Sequence, residues 1–140
     1  MKTARIPLDS LIISGTYAVV NGECVNQVTF ENMTISGALL VQSEFHGCVF
    51  QNCTFYSATL DNCTFIGCRF VNCQFFFTRI EYCRFNFCSF ENCVSHKGGI
   101  YGNDFSVCQL DTDSCDTLDL DNNGLKNCFV TPIKLAATCG

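Results

Sequence analysis

Bulky apolar residues recur at every fifth position along most of this chain. In the frame that runs from Val20 to Val130, only Ser95 is polar. An α-helix repeats every 3.6 residues and a strand alternates every two, so neither element produces a period of five. The pattern therefore predicts a coil with short sides, each of which directs one large residue, here called the central residue, into the interior.

Small residues lie two positions before the central ones and form a second inward set, here called the small positions. Ten of the 13 cysteines fall in this phase: Cys48, Cys53, Cys63, Cys68, Cys73, Cys83, Cys88, Cys93, Cys108 and Cys128. We interpret them as free thiols that pack as compact hydrophobic groups.

A longer period of twenty residues is superimposed on the first. One series of central residues is aliphatic: Leu40, Leu60, Ile80, Ile100 and Leu120. Another is mainly aromatic: Phe30, Phe50, Phe70 and Phe90. Four five-residue sides therefore close one square turn, and like side chains stack on like. At twenty residues per coil, residues 20–130 predict about six coils, and adjacent coils are expected about 4.8 Å apart.

The short runs that combine a small and a central position carry a resemblance to a known family. These runs are Cys53–Phe55, Cys63–Phe65, Cys68–Phe70 and Cys83–Phe85. The chain resembles the pentapeptide-repeat family over about residues 20–130, and the resemblance implies an all-β fold, a right-handed quadrilateral parallel β-helix. It departs from the family by favouring Cys over Ala at the small positions and Thr, Arg, Ser or Gln over Asp or Asn just before the centre.

The extent of the five-residue repeat divides the chain into three regions. Ser10 and Gly15 interrupt the phase, so residues 1–19 are predicted to cap the N-terminal end. Residues 20–130 form the β-helix, and residues 131–140 form a short C-terminal tail. An uncapped coil presents unpaired backbone groups. Because family members dimerise end to end, the resemblance implies a homodimer through the C-terminal end as an alternative to a monomer.

Composition limits the classes of partner. The net charge of −5 argues against direct nucleic-acid binding, which needs a basic face. The longest apolar stretches are too short to span a membrane. The odd number of cysteines argues against a disulfide scaffold. We therefore expect the cytoplasm as the compartment, with a secreted effector as the alternative.

The sequence predicts no catalytic, cofactor or metal site, and hence no enzyme. The cysteines follow the five-residue core phase rather than the paired spacing of zinc sites. The two histidines, His46 and His96, lie in different columns and outside any nucleophile–base arrangement. The segment Asp119–Gly124 is similar to the start of a calcium loop, but Val130 stands where such a loop needs a terminal Glu.

Outward residues form the candidate interaction surface. Its aromatic members are Tyr56, Phe76, Phe77, Tyr82 and Phe87, and its acidic members are Asp61, Glu81 and Asp121. Exposed Phe often marks a contact surface. The alternatives are that these rings cover one another at a corner and that the acidic residues serve only as solubilising charge. The glycines and the polar centre in the segment 95–99 also predict a local bulge.

We interpret the chain as a non-enzymatic scaffold for protein–protein interaction with an unidentified partner. The resemblance implies an alternative, since family members mimic DNA and bind type II topoisomerases such as gyrase. The basic residues Arg69, Arg79 and Arg84 just before the centres weaken that alternative. A third interpretation is the β-helix part of a secreted effector or of a surface protein.

Overall fold

The computed structural model describes residues 16–117 and 122–131 and contains four parallel sheets. Sheet I consists of β1 (Val19–Asn21), β5 (Leu39–Val41), β9 (Thr59–Asp61), β13 (Arg79–Glu81) and β17 (Gly99–Tyr101). Sheet II consists of β2 (Cys24–Asn26), β6 (Glu44–His46), β10 (Thr64–Ile66), β14 (Arg84–Asn86), β18 (Asp104–Ser106) and β20 (Gly124–Lys126). Sheet III consists of β3 (Thr29–Glu31), β7 (Val49–Gln51), β11 (Arg69–Val71), β15 (Ser89–Glu91), β19 (Gln109–Asp111) and β21 (Phe129–Thr131). Sheet IV consists of β4 (Thr34–Ser36), β8 (Thr54–Tyr56), β12 (Gln74–Phe76) and β16 (Val94–His96).

Each strand contains three residues and pairs in register with the strand twenty residues away. Phe50 pairs with Phe70, and Phe70 pairs with Phe90. Successive strands along the chain belong to successive sheets, so four strands complete one square coil. The predicted quadrilateral parallel β-helix is therefore confirmed. The described residues form four complete coils, a fifth coil whose fourth side is not a strand, and part of a sixth.

The core consists of stacked aromatic columns. Phe30, Phe50, Phe70 and Phe90 stack with ring centroids 4.7–4.9 Å apart. This distance matches the separation of paired strands, so the backbone ladder sets the ring spacing. The neighbouring column, which includes Phe65 and Phe85, meets the first edge-on. Stacked and edge-to-face pairs are both favourable ring geometries, and together they fill the interior without tryptophan.

The small positions also donate hydrogen bonds. The Cys68 thiol lies 3.2 Å from the carbonyl oxygen of Phe45 in the preceding coil and 3.7 Å from that of Ile66. Thr78 makes the equivalent contacts with its hydroxyl, 3.1 Å from the carbonyl oxygens of Phe55 and Phe76. Cysteine therefore combines a compact apolar body with a weak donor at a site where the coil turns.

The residues at the corners adopt left-handed backbone conformations. One corner is formed by asparagine in four successive coils: Asn32, Asn52, Asn72 and Asn92, with φ between 53° and 56°. Asparagine tolerates this region better than most residues. The side-chain amides of Asn52, Asn72 and Asn92 each donate to the amide oxygen of the asparagine in the preceding coil at 2.8–3.1 Å, which produces a ladder along that edge of the rod.

The fifth coil differs from the expected repeat on its fourth side. Helix α1 (Thr112–Thr117) occupies the place of a sheet IV strand, so the five-residue frame predicted from Val20 to Val130, which makes Cys115 a central residue, is wrong at this position. Ser114 is buried instead, and its Oγ accepts a hydrogen bond from the Cys93 N–H at 2.9 Å. Asp111 accepts from the Ser114 N–H and caps the start of α1. Leu120 lies outside the described residues.

The bulge expected at residues 95–99 is absent, and that prediction is wrong. β16 and β17 keep the regular register, in which Ser95 pairs with Phe75 and Gly99 with Arg79. Gly98 occupies a small position where an added Cβ would overlap the carbonyl oxygen of Thr78. The glycine lets the coil approach its neighbour closely there. The proposed N-terminal cap falls mainly, and the C-terminal tail almost wholly, outside the described residues.

Candidate interaction surface

An exposed aromatic cluster covers one part of sheet IV. Tyr56, Phe76 and His96 lie in register on adjacent strands, and Phe77 occupies the following corner. Phe76 stacks on His96 at 4.9 Å, and Phe77 meets Tyr56 edge-on at 5.6 Å. Tyr56 and Phe77 remain 46% and 48% exposed. These four residues are called the aromatic patch below.

The other two predicted aromatics lie on different corners. Tyr82 follows β13 and meets Tyr101 edge-on at 5.9 Å. Phe87 follows β14 and is 66% exposed. Both have left-handed φ angles, as Phe77 does. The structure therefore distributes the five predicted residues over three successive corners of the rod, and only Tyr56, Phe76 and Phe77 share one surface.

The acidic residues of sheet I lie in register, but the carboxylate of Glu81 is already paired with neighbouring side chains. Asp61 pairs with Glu81, and Glu81 with Tyr101, on sheet I. Glu81 is only 8% exposed. Its carboxylate accepts from Arg79 Nε at 2.9 Å and from the Tyr101 hydroxyl at 2.9 Å. An already paired carboxylate offers little to a basic partner. Asp121 lies outside the described residues.

His96 was not predicted as a member of this surface. The two histidines lie in different columns, which argues against a shared catalytic site but does not bear on a role at the surface. The signal was nevertheless available, because positions 56, 76 and 96 differ by twenty residues and all precede a corner. His46 lies on sheet II, where its Nε2 is 2.9 Å from a carboxylate oxygen of Glu44.

Several of the thiols are poorly suited to chemistry. Hydrogen bonding to the stacked Cys68 thiol and burial raise the pKa of Cys48. Hydrogen bonding to Cys63 and burial do the same to the pKa of Cys83. Burial, reinforced by Asp116 and Asp111, raises the pKa of the half-buried Cys115 thiol. A raised pKa keeps these thiols protonated, and a protonated thiol is a poor nucleophile.

The repeat geometry defines a parallel β-solenoid with five-residue sides, and the sequence comparison agrees with it. Residues 30–79 match the model of the family described as pentapeptide repeats, nine copies. The resemblance to pentapeptide repeats is confirmed for residues 30–79. The same strand register extends beyond that match in both directions, from β1 to β19.

Two solved structures illustrate the similarity. A pentapeptide repeat protein, Rfr23, from the cyanobacterium Cyanothece 51142 is 14% identical, with a TM-score of 0.36, covering 90% of this chain and 94% of that one. QnrB1, a plasmid-mediated fluoroquinolone resistance protein, is 13% identical in a trypsin-treated variant form, with a TM-score of 0.30, covering 89% and 94%. Such low identities and scores support no inference about function.

No curated protein matches the chain in sequence. Within the described residues, no helix has the length and apolar character needed to cross a bilayer.

Proposed function

We propose that this protein is a non-enzymatic scaffold that binds a protein partner through the aromatic patch. The observation that carries the proposal is the pair Tyr56 and Phe77, two large rings in contact with each other and each about half exposed. Water-exposed aromatic area is a common feature of protein interfaces.

Rigidity supports the same proposal. Tyr56 and Phe76 stand on paired strands whose backbones are hydrogen-bonded to coils on both sides. The backbone that carries the rings is therefore fixed before a partner arrives, which lowers the entropy cost of binding. Aromatic anchors of this type contribute a large share of interface energy, whereas the residues around them mainly exclude water.

The structure provides a matched pair of variants to test the patch. Phe77→Ser removes a ring from the patch, and Phe87→Ser removes an even more exposed ring from a corner with nearly the same φ, 56° against 51°. We expect quantitative affinity capture to lose a specific partner with Phe77→Ser and to retain it with Phe87→Ser. If both variants capture the same proteins as the unmodified chain, the patch is not the binding surface.

The topoisomerase-binding alternative is disfavoured by surface charge. Arg84 pairs in register with Thr64 and Asp104, so a basic residue interrupts the outward column of sheet II. Arg79 forms a salt bridge with the Glu81 carboxylate on sheet I, which reduces the acidic character of that side. A surface that mimics DNA needs a continuous acidic stripe. We expect purified protein at micromolar concentration to leave gyrase supercoiling unchanged, and inhibition in that assay would reinstate the alternative.

We further propose self-association through the C-terminal end and residence in the cytoplasm. Leu125 and Val130 occupy central positions of the last described coil, yet they are 51% and 57% exposed. A second copy stacked on this end would cover both residues. The described cysteines are free thiols, which is typical of a reducing compartment. A secreted effector is the alternative, and it predicts oxidised cysteines in protein isolated without reductant.

A further inference from the structure

Three chemically different metal-ligating side chains converge on the outer face of sheet II. Cys24 on β2 pairs in register with Glu44 on β6, and His46 follows two residues later on the same strand and the same face. The Cys24 Sγ, a Glu44 carboxylate oxygen and a His46 ring nitrogen all lie within 4.8 Å of one another. Within residues 16–117 and 122–131, this is the one group of three such side chains that is close enough to share an ion.

Cys24 is distinct from the other described cysteines. It lies just before a central residue rather than at a small position, so its side chain points outward. Among the described cysteines it alone is exposed. The Asn26 amide lies 3.7 Å from its sulfur and is placed to hydrogen-bond to it. The packing that explains the buried thiols therefore does not explain this one.

An ion pair between His46 and Glu44 would explain two members of the group without a metal. Their side chains are 35% and 59% exposed, and exposed pairs of this kind contribute little stability. The ion pair leaves the position of the Cys24 sulfur unexplained. A metal ion accounts for all three donors together.

We propose that Cys24, Glu44 and His46 bind one Zn²⁺ ion. Thiolate, imidazole and carboxylate are the three side-chain donors that zinc accepts in proteins, and three protein ligands leave a fourth tetrahedral position for water. The mixed donor set disfavours Mg²⁺ and Ca²⁺, which prefer oxygen ligands alone. In this structure, the His46 nitrogen and the Glu44 oxygen contact each other. In the zinc-bound form, both atoms would turn toward the ion. The exposed sheet face provides an entry path.

The site would act as a cross-link between the first two coils. β2 belongs to the first coil and β6 to the second, and the two strands are joined in register. An ion that binds the folded form alone stabilises it by mass action. Zinc would thus stabilise the end of the rod where the repeat begins.

The site was not predicted from the sequence because its ligands are not close in the chain. Cys24 and Glu44 are twenty residues apart, whereas zinc motifs are recognised by pairs separated by a few residues. Only the coil register brings them together.

The experiment uses the full chain, stripped with a chelator and kept reduced with a non-thiol reductant. Zinc affinity is measured by competition with a chromophoric chelator, and Co²⁺ is used as a spectroscopic probe of sulfur ligation. We expect one high-affinity site, a thiolate-to-cobalt charge-transfer band, and a zinc-dependent rise in melting temperature. Cys24→Ser should abolish the band.

Matched variants separate this site from nonspecific binding. Loss of a residue that only orients a metal ligand typically weakens metal affinity about 10–100-fold. Loss of a ligand itself should cost at least as much, so we expect Cys24→Ser, Glu44→Gln and His46→Ala each to weaken zinc affinity at least about tenfold. Cys115→Ser and Glu91→Gln change the same residue types elsewhere and should leave zinc affinity within about twofold. Circular dichroism verifies that each variant is folded. Zinc binding that survives when Cys24→Ser, Glu44→Gln and His46→Ala are combined, or a charge-transfer band that survives Cys24→Ser alone, would overturn the proposal.

Discussion

At the residue scale, the spacing of paired coils restricts what each small position can hold. Gly98 follows Thr78 in its column, and an added Cβ there would overlap a backbone oxygen, which cannot move without disturbing the strand register. Gly99 is different, because its added Cβ would meet the Tyr101 ring at 3.2 Å, and a side chain can rotate away.

We therefore expect Gly98→Ala to lower the free energy of unfolding by about 1–3 kcal/mol, the usual cost of overpacking a core. Gly99→Ala is the matched control, with an expected effect below about 1 kcal/mol. Urea denaturation followed by circular dichroism measures both. Equal midpoints for the two variants would show that the coil relaxes around residue 98.

At the element scale, α1 replaces a strand and must satisfy the backbone that the strand would have paired. Its Ser114 accepts from the buried Cys93 N–H, and the Thr117 hydroxyl donates to the Cys93 carbonyl oxygen at 3.0 Å. The helix can therefore lie where the next strand of sheet IV would pair, because its side chains replace the backbone hydrogen bonds that this strand would have made.

Ser114→Ala would leave the Cys93 N–H buried without a partner. We expect a loss of about 1–3 kcal/mol in the free energy of unfolding, the usual penalty for an unsatisfied buried donor. Thr112→Ala is the control, since its hydroxyl makes an exposed 3.4 Å contact and its removal should cost no more than about 0.5 kcal/mol. The prediction is wrong if the two variants unfold at the same denaturant concentration.

At the scale of the whole molecule, the sides and the C-terminal end of the rod have different properties. Between the two ends, each coil is stacked between two others, which cover its apolar interior. At the C-terminal end, Leu125 and Val130 keep about half of their surface exposed. A rod of stacked coils extends naturally when such an end meets a second one.

We expect the double variant Leu125→Ser and Val130→Ser to shift sedimentation velocity profiles from dimer toward monomer at tens of micromolar, roughly the range where interfaces of modest size associate. Leu39→Ser is the control, since Leu39 is an exposed leucine on sheet I, a side of the rod. A sedimentation profile that is the same for both variants and the unmodified chain would exclude association through this end.

Much of the fold could be predicted from the sequence because the repeat is redundant. Phe50, Phe70 and Phe90 are separated by the same twenty residues, and the other columns repeat that spacing. One exception such as Ser95 therefore does not obscure the period. The candidate surface was less predictable. The edge-on contact of Phe77 with Tyr56 joins a corner residue to a strand residue of the preceding coil, and the period alone does not indicate that contact.

By itself, the sequence determined the square coil, the identity of the core columns and the free state of the buried thiols, since every coil must fill the same interior. The period of twenty places outward residues on adjacent strands, but the tertiary structure decided which of their side chains make contact. It placed His96 on Phe76, inserted Glu81 between Arg79 and Tyr101, and brought Cys24 to Glu44. Outward side chains follow no packing rule shared by all coils, so their neighbours depend on the side of the rod and on the coil to which each belongs.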